Sequence, residues 1–409
     1  MKEFFKVTNL DQVLKYTLGF PAVDTEKVHL SDMTGRILAE NIVSDIDLPD
    51  FSRSTMDGYA VRGSSTFGAT EGNPAYLAVK GSVAMGESPV FSISTGEAAR
   101  ISTGGMLPDG SDSVVMIEHT EALDDTTIEI YKSLAPGQHV VEAGEDIKSG
   151  KVVLSCGQEL RPQETGLLAA LGKEAAVVYK KPVIGIISTG DEIVPVDKVP
   201  GSGQIRDINT HTLSGQVQEA GGTPVTFGIV SDDYDALYSK CSEALSKSDM
   251  VLISGGSSVG TRDYTIEVLS NLPDSSILAH GISISPGKPT ILAKAQNKAF
   301  WGLPGHVTSA MVVFKTVVLP FIRHIAGSTS FNDRKLYISA NLNRNVSSAQ
   351  GRVDFIRVRL LEKDGGLWAE PILGKSGLIN TMVKADGLIE VGLNTEGLDE
   401  GSLVEVIPL

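Results

Sequence analysis

The sequence predicts a multidomain protein of α/β and β structure, and three observations lead to that prediction. Its 409 residues are too many for a single hydrophobic core, so we expect about two to four domains. Residues 182–325 alternate strand-like and helix-like segments, which indicates βαβ units and a mostly parallel sheet. Residues 56–140 and 330–409 carry short β-type runs between turn residues. The predicted architecture is therefore a central, mostly parallel α/β sheet domain, an inserted small β module and a C-terminal β-barrel.

The points where the predicted type of secondary structure changes along the chain predict the domain boundaries. A discontinuous N-terminal linker and helical domain is predicted over residues 1–46 and 141–178. The inserted β domain is predicted over 47–140, the α/β domain over 179–326 and the barrel over 327–409. In the first of them, Asn9 is expected to cap a helix over residues 9–19, and Pro162 suits the first turn of a second helix.

Apolar runs and helical periodicity predict the elements of the other three domains. In the α/β domain we expect strands at Val183–Ser188, Pro224–Ile229, Met250–Ser254, Thr290–Lys294 and Ala299–Gly302. Its helices are expected over residues 209–220, 232–247, 262–270 and 305–323. The β module should contain Gly58–Val61, Tyr76–Val79, Ala98–Ile101, Ser113–Ile117 and Thr127–Tyr131. The barrel should contain Lys335–Ser339, Asp354–Leu361, Leu367–Pro371, Gly387–Val391 and Ser402–Ile407, with no helix.

Composition excludes several classes of function. The net charge of −15 argues against broad binding to nucleic acid or to an anionic membrane, because both need a basic surface. Two distant cysteines, Cys156 and Cys241, indicate neither a metal site nor a disulfide framework. The start lacks the apolar core of a signal peptide. The apolar stretch Ala310–Ile322, interrupted by Lys315 and Pro320, is judged too short and too polar to span a bilayer. We therefore expect a soluble cytoplasmic protein.

Two apolar runs end in polar loops that carry an aspartate. The first extends from Val183 to Asp191, and the second extends from Met250 to Gly260 and is followed by Asp263. Buried parallel strands appear as continuous apolar runs, and open α/β sheets bind ligands beyond the carboxyl ends of their strands. We therefore predict one crevice for a phosphate-bearing or metal-bearing ligand. A simpler interpretation stays open, in which Asp191 caps a turn and Asp263 caps a helix.

Two further segments could bind an anion. The loop Gly255–Gly260 can present backbone N–H groups and hydroxyls at the start of a helix, although a glycine-rich turn without a ligand is the alternative. Lys288 stands between Pro286-Gly287 and Pro289, a rigid frame that would hold its positive charge toward an oxyanion. Simple solvation is the alternative for this lysine.

Five groups of motifs follow one another along the chain. They are S-T-M-D-G-Y-A-V-R (54–62), S-T-G-G-M-L-P-D-G (102–110), G-E-D-I-K-S-G (144–150), S-T-G-D-E (188–192) with G-G-S-S-V-G-T-R-D-Y (255–264), and S-P-G-K-P (285–289) with G-L-P-G-H-V-T-S-A (302–310). In this order they resemble the MoeA family of molybdopterin molybdenumtransferases, which is related to the E domains of gephyrin and of the plant cofactor-insertion protein. The resemblance is collinear over essentially the whole chain.

The resemblance implies an elongated four-domain homodimer with its active site at the subunit interface. It implies adenylylated molybdopterin and molybdate, or tungstate, as substrates, and Mg²⁺ as the cofactor. The phosphoanhydride is hydrolysed, AMP is released, and molybdenum is placed on the dithiolene sulfurs. The adenylyltransferase of the same pathway is a candidate physical partner.

The resemblance also assigns roles to residues. Catalytic roles fall on Asp191, Asp263, Lys288, Asp57, Thr103 and Asp146, and the metal falls to the carboxylates of Asp191 and Asp263. The binding residues are Ser188, Thr189, Gly190, Gly255, Gly256, Ser257, Ser258, Gly260, Pro304, Gly305, His306, Ser309, Arg352 and Ser376. Asp57 and Thr103 are expected to face the crevice of the partner subunit. Turn formation remains an alternative for these two and for Asp146, as does solvation for Arg352.

The chain departs from the family pattern at three positions. Ser285 stands where the family usually has a second lysine, so one positive contact to an oxyanion is missing. His306 and Val307 replace the usual Asn and Pro. His306 could act as a replacement donor near the metal or oxyanion, or it could only fill the space of the asparagine.

Two other functions compete with metal insertion. A molybdopterin adenylyltransferase would resemble residues 182–325, but such a domain stands alone, so the flanking modules argue against it. A non-catalytic scaffold, as in gephyrin, would not need the intact Asp191, Asp263 and Lys288.

Overall fold

The computed structural model describes residues 7–255, 264–329, 336–363 and 365–409. Within it the chain divides into two compact units. The first unit comprises Met1–Glu40, Cys156–Gly166 and Glu174–Leu409, and the second comprises Asn41–Ser155 and Leu167–Lys173. The first unit contains the central sheet and the C-terminal barrel, and the second contains the inserted β module.

The central sheet of the first unit has six strands among the described residues. Their spatial order is Thr223–Val230, Val183–Thr189, Met250–Ser254, Lys298–Leu303, Ile291–Ala295 and Ser276–His280. The first four strands pair in parallel, and Ile291–Ala295 pairs antiparallel with both of its neighbours. The helices of this region are Asn209–Glu219, Tyr234–Lys247, Tyr264–Asn271, Val307–Val313 and Leu319–Ile325, the last two joined by the π-helical turn Phe314–Val318. The predicted mostly parallel α/β domain is confirmed.

Burial explains why two of the strands read as uninterrupted apolar runs. Met250–Ser254 is buried throughout, and Val183–Thr189 is buried from Ile184 onward, because neighbours cover these strands on both sides. The edge strand Thr223–Val230 is partly exposed and its sequence is correspondingly mixed. Trp301 packs edge-to-face on Phe321 with ring centroids 4.9 Å apart in the core between sheet and helix.

The two strands Ile291–Ala295 and Lys298–Leu303 form a hairpin rather than a βαβ unit. Gln296 and Asn297 both have positive φ, 47° and 64°, which is the backbone of a tight two-residue turn. The hairpin places Ile291 opposite Gly302. Consequently the segment that leads into Ile291 lies at the carboxyl edge of the parallel strands.

One continuous helical segment, Val307–Ile325, is long and apolar enough to cross a membrane, and no other in the described ranges is. The expectation that this region is too short to span a bilayer was therefore wrong, because the helix extends beyond Ala310–Ile322. However, 61% of its most apolar window is buried within the protein. Phe314, Phe321 and Ile322 belong to the hydrophobic core, so the segment serves as a core helix.

The C-terminal barrel is closed by five strands. In order around the barrel they are Val353–Lys363, Gly366–Pro371, Ile338–Leu342, Leu403–Pro408 and Gly387–Val391, which pairs back to the first. The predicted barrel is thus confirmed, with one short helix, Asn380–Val383, that periodicity did not predict. A short strand, Ile284–Ser285, pairs with Val353 and Asp354 of the barrel and ties it to the segment before Lys288.

The second unit is built around a six-stranded sheet, which confirms the predicted β module. The strand order is Ser113–Met116, Gly58–Val61, Glu97–Ile101, Ala75–Val83, Thr127–Ile130 and Thr120–Ala122. Two short antiparallel pairs accompany it, Ile42–Val43 with Val152–Leu154 and Arg53–Ser54 with Val140–Val141.

The remaining elements are short. The N-terminal helix is Leu10–Lys15, capped by the side chain of Asn9 as predicted, and it continues as a 3₁₀ turn over Tyr16–Gly19. Three further strand pairs are Thr25–His29 with Ala175–Tyr179, Ile193–Val194 with Ile205–Arg206, and Val346–Ser347 with Gly397–Leu398. A further helix is Pro162–Ala170.

Candidate active site

The carboxyl ends of three adjacent parallel strands meet at one edge of the central sheet. Ser188 lies opposite Ser254, and Ser254 lies opposite Leu303. The hydroxyl oxygens of Ser188 and Ser254 are 3.5 Å apart, and both side chains are fully buried. The loops that follow these strands carry most of the predicted ligand groups of the α/β domain.

Glycine allows the backbones of these loops to approach one another. Gly255 has a φ of 109°, and a Cβ atom at this position would lie 2.2 Å from the carbonyl oxygen of Thr189. A Cβ atom on Gly305 would lie 3.6 Å from the Cα of Gly255. The Thr189 hydroxyl is buried there and has no hydrogen-bond partner among the described residues. A buried polar atom without a partner at the ligand-binding edge of a sheet fits a site that a ligand completes.

Carboxylates gather beside this edge. The Asp191 carboxylate accepts a hydrogen bond of 3.1 Å from the backbone N–H of Asp232. Partial burial and the negative charges of Asp191 and Glu192 raise the pKa of Asp232 above its usual range. A bound cation would relieve that repulsion, so the residues present fit a divalent metal. Asp232 is a carboxylate that sequence reasoning missed, because nothing in its sequence marks the close approach to Asp191.

No group of three or more metal-ligating side chains occurs within the described ranges. Asp263, the second predicted metal ligand, lies outside the described residues, as do Gly256, Ser257, Ser258 and Gly260. The predicted pairing of the two aspartates therefore stays a prediction.

Lys288 occupies a rigid turn at the same edge. Gly287 before it has a φ of 118°, and a Cβ atom there would lie 2.4 Å from Cγ2 of Val313. The Thr290 hydroxyl donates a hydrogen bond of 2.6 Å to the Gly287 carbonyl, and the Ile282 N–H donates one of 2.9 Å to the Lys288 carbonyl. The Lys288 side chain is exposed and forms no ion pair with a described residue. The backbone is thus fixed while the ammonium group is free to bind an anion.

The turn Pro304-Gly305-His306 leads from the sheet into the core helix. The side-chain amide of Asn209 donates a hydrogen bond of 2.9 Å to the Gly305 carbonyl. Thr308 donates from its N–H and its hydroxyl to the Ser376 carbonyl, at 3.1 and 2.7 Å, so the barrel loop lies against the helix start. The exposed His306 ring lies beside Gly377 of that loop, with its Cδ2 3.7 Å from where a Cβ would stand.

The binding residues around this turn differ in accessibility. Ser309 is buried, and so offers little surface to a ligand in this state. Ser376 contacts the turn through its main chain, as just described. Asn209, which holds Gly305, was missed because an asparagine at a helix start is normally interpreted as a cap.

A different arginine from the predicted one reaches the Ser376 loop. Arg352 pairs with the buried carboxylate of Asp354, with Nε 2.8 Å from Oδ1. Arg357 instead donates hydrogen bonds to the Gly374 carbonyl at 2.7 Å and to the Thr381 hydroxyl at 2.5 Å. Burial lowers the pKa of Arg357, and no described carboxylate pairs with it. Arg352 was chosen from the family resemblance, which cannot show its pairing with Asp354.

The three predicted residues of the second unit lie on two separate turns. The Thr103 N–H donates a hydrogen bond of 2.8 Å to the Asp57 carboxylate, so these two residues are brought together. Asp146 donates its N–H to the Leu48 carbonyl at 3.1 Å and leaves its side chain exposed. Among the described residues no hydrogen bond joins Asp146 to Asp57 or Thr103.

A sheet edge with buried hydroxyls, close glycine turns, a carboxylate pair and a fixed lysine is typical of α/β proteins that bind anionic ligands. Comparison with known proteins identifies the family within this class. Residues 8–172 match the MoeA N-terminal region (domains I and II), 185–324 a probable molybdopterin binding domain, and 339–409 the MoeA C-terminal region (domain IV). The chain belongs to the MoeA family of molybdopterin molybdenumtransferases, enzymes of molybdenum cofactor biosynthesis.

Relatives along the whole chain support this membership. The molybdopterin molybdenumtransferase of Haemophilus influenzae is 34% identical over 393 residues, covering 96% of this chain and 95% of its own. That of Bacillus subtilis is 32% identical over 388 residues, covering 94% and 90%. Two crystal structures of molybdopterin biosynthesis MoeA proteins from Pyrococcus horikoshii superpose with TM-scores of 0.86 at 30% identity and 0.80 at 39% identity. They cover 99% and 98% of this chain and 100% and 99% of their own. Because these relatives match along the whole chain and not only over the α/β domain, the adenylyltransferase alternative is not supported.

Proposed function

We propose that this protein inserts molybdenum, or tungsten, into molybdopterin while it hydrolyses adenylylated molybdopterin and releases AMP. Water cleaves the phosphoanhydride, which yields AMP and the pterin monophosphate, and the oxyanion delivers the metal to the dithiolene sulfurs. The observation that carries the proposal is the meeting of Thr189, Gly255 and Gly305 at one sheet edge, in a chain of this family.

The described residues suggest a division of labour. The glycine turns allow phosphate oxygens to approach backbone N–H groups. Lys288 offers its ammonium group to a phosphate or molybdate oxygen. Asp191, with Asp232 beside it, would hold Mg²⁺. Bound Mg²⁺ would neutralise phosphate charge as the anhydride breaks.

We further propose a homodimer in the cytoplasm, in which Asp57, Thr103 and Asp146 contribute to the active site of the partner subunit. Oxyanion binding by Ser376, with Arg357 rather than Arg352, belongs to the same proposal, because Arg357 contacts its loop. Sedimentation equilibrium should give twice the 43.3 kDa of one chain. A monomer at the concentrations used for catalysis would rule out the shared site.

The activity itself is tested by AMP release from adenylylated molybdopterin. We expect release to require Mg²⁺, to stop with a chelator, and to depend on molybdate or tungstate. Comparison of the two oxyanions at equal concentration identifies the preferred metal. If no AMP is released under any of these conditions, metal insertion is wrong and the non-catalytic scaffold remains.

Replacing Lys288 with Ala should weaken the dependence on molybdate. Loss of one charge-assisted contact should raise the molybdate concentration for half-maximal AMP release by about tenfold or more. The matched control is Lys27→Ala, which removes an exposed lysine from the Thr25–His29 strand. Identical molybdate saturation curves for Lys288→Ala and the unmodified protein would remove Lys288 from the site.

A further inference from the structure

Asn209 is held inside the protein at the first position of the helix Asn209–Glu219. It is only 6% exposed, and its side-chain Nδ2 donates a hydrogen bond of 2.9 Å to the Gly305 carbonyl. Gly305 lies 96 residues later, in the turn between the sheet and the core helix. One side chain therefore connects the start of one helix to the loop that precedes another.

The position of Asn209 is itself fixed by its neighbours. Asp207 is buried, and its carboxylate accepts hydrogen bonds from the Thr210 N–H at 3.0 Å and the Thr210 hydroxyl at 2.6 Å. The Asp207 N–H donates to the Val194 carbonyl at 2.9 Å. Because the Asp207 carboxylate already accepts the Thr210 N–H of the first turn, the Asn209 amide is available for the Gly305 turn.

The oxygen of the Asn209 amide has no partner within the described part of the chain. This Oδ1 atom is buried and accepts no hydrogen bond from a described residue. Leaving a buried acceptor unsatisfied is unfavourable, so such atoms often mark a place where a ligand supplies the missing donor. The Thr189 hydroxyl is another such atom, and it lies at the same sheet edge, where the Gly255 backbone approaches both Thr189 and Gly305.

We propose that Asn209 is a positioning residue for the pterin nucleotide. Its Nδ2 fixes the Pro304-Gly305-His306 turn, and its Oδ1 accepts a hydrogen bond from an N–H or hydroxyl group of the bound ligand. The inference rests on the proposed function for the identity of the ligand. The positioning of the turn does not depend on that identity and can be measured in the free protein.

Gln216 provides a matched control on the same helix. It lies seven residues after Asn209, and so on the same face. Its side-chain Nε2 donates to the Met311 carbonyl at 3.2 Å, and its Oε1 is likewise buried without a described partner. Gln216→Ala therefore removes the same kind of contact between the same two segments, but one that does not reach the Gly305 turn.

The first measurement is amide hydrogen exchange in the free protein across residues 303–309. We expect Asn209→Ala to speed exchange of the Thr308 amide, which donates to the Ser376 carbonyl at 3.1 Å, by about tenfold, since the turn opens locally without its tether. Gln216→Ala should leave that amide unchanged even if it lowers the melting temperature equally. Asn209→Asp keeps an acceptor but loses the donor, and should behave like Asn209→Ala.

The second measurement is the kinetics of AMP release. Asn209→Ala should raise KM for adenylylated molybdopterin by about tenfold, with a smaller change in kcat, whereas Gln216→Ala should change neither. Exchange and KM that match those of Gln216→Ala would overturn the inference. If the unmodified protein releases no AMP, the proposed function fails, and the exchange experiment still decides whether Asn209 positions the turn.

Discussion

Asp191→Asn should slow AMP release by about 10²- to 10³-fold at saturating Mg²⁺, the usual cost of removing one preorganised electrostatic contact. Asparagine has the same shape and can still accept the hydrogen bond that the Asp232 N–H donates at 3.1 Å. The loop should therefore keep its conformation, and the change isolates the negative charge. The rate is measured at several Mg²⁺ concentrations, and the variant should need more metal for half-maximal activity.

Asp197→Asn is the control for this substitution. Asp197 lies six residues further on, and its side chain is 72% exposed. Its Oδ2 atom is 4.0 Å from Nζ of Lys198. An exposed pair of this kind contributes little, so the rate should be unchanged. An Asp191→Asn enzyme with the unmodified rate and Mg²⁺ dependence would show that this carboxylate does not hold the metal.

Gly255→Ala should weaken substrate binding and also lower stability. The new Cβ would lie 2.2 Å from the Thr189 carbonyl oxygen, and the φ of 109° is unfavourable for any side chain. We expect the free energy of unfolding to fall by about 2–4 kcal/mol, and the affinity for adenylylated molybdopterin to fall more than about tenfold. Urea unfolding and titration calorimetry measure the two effects separately.

Gly215→Ala is the matched control for the glycine substitution. Gly215 lies within the helix Asn209–Glu219, and an added Cβ would meet no atom within 4 Å. Alanine is favoured over glycine in a helix interior by about 1 kcal/mol, so stability should stay equal or rise. A Gly255→Ala protein that binds and unfolds like Gly215→Ala would mean that the approach of the two loops is unimportant.

Local patterns predicted the elements whose burial is simple. Met250–Ser254 has the predicted bounds because a strand covered on both faces must be apolar throughout. The hairpin at Gln296 and Asn297 was not predicted, because its two strands were assigned to the βαβ alternation, although so short a connection allows only antiparallel pairing. The core helix was predicted over 305–323 and is observed as Val307–Ile325, but Lys315 and Pro320 were interpreted as breaks in its apolar stretch, whereas the helix continues through both.

The candidate site could be predicted only where a single loop carries it. Asp191, Gly255, Lys288 and Gly305 were identified from motifs, and the structure places their segments at one sheet edge. Contacts between segments that are distant in sequence could not be predicted from local motifs. The pairing of Arg352 with Asp354, the contact of Arg357 with Gly374, and the tether from Asn209 to Gly305 all depend on the tertiary fold.

The most direct test is a crystal structure of the protein with adenylylated molybdopterin bound. We predict that the phosphates lie at the carboxyl edge of the central sheet, within hydrogen-bond distance of the Gly305 turn and the Lys288 ammonium group. Nucleotide density at any other surface, with that edge occupied only by solvent, would contradict the account.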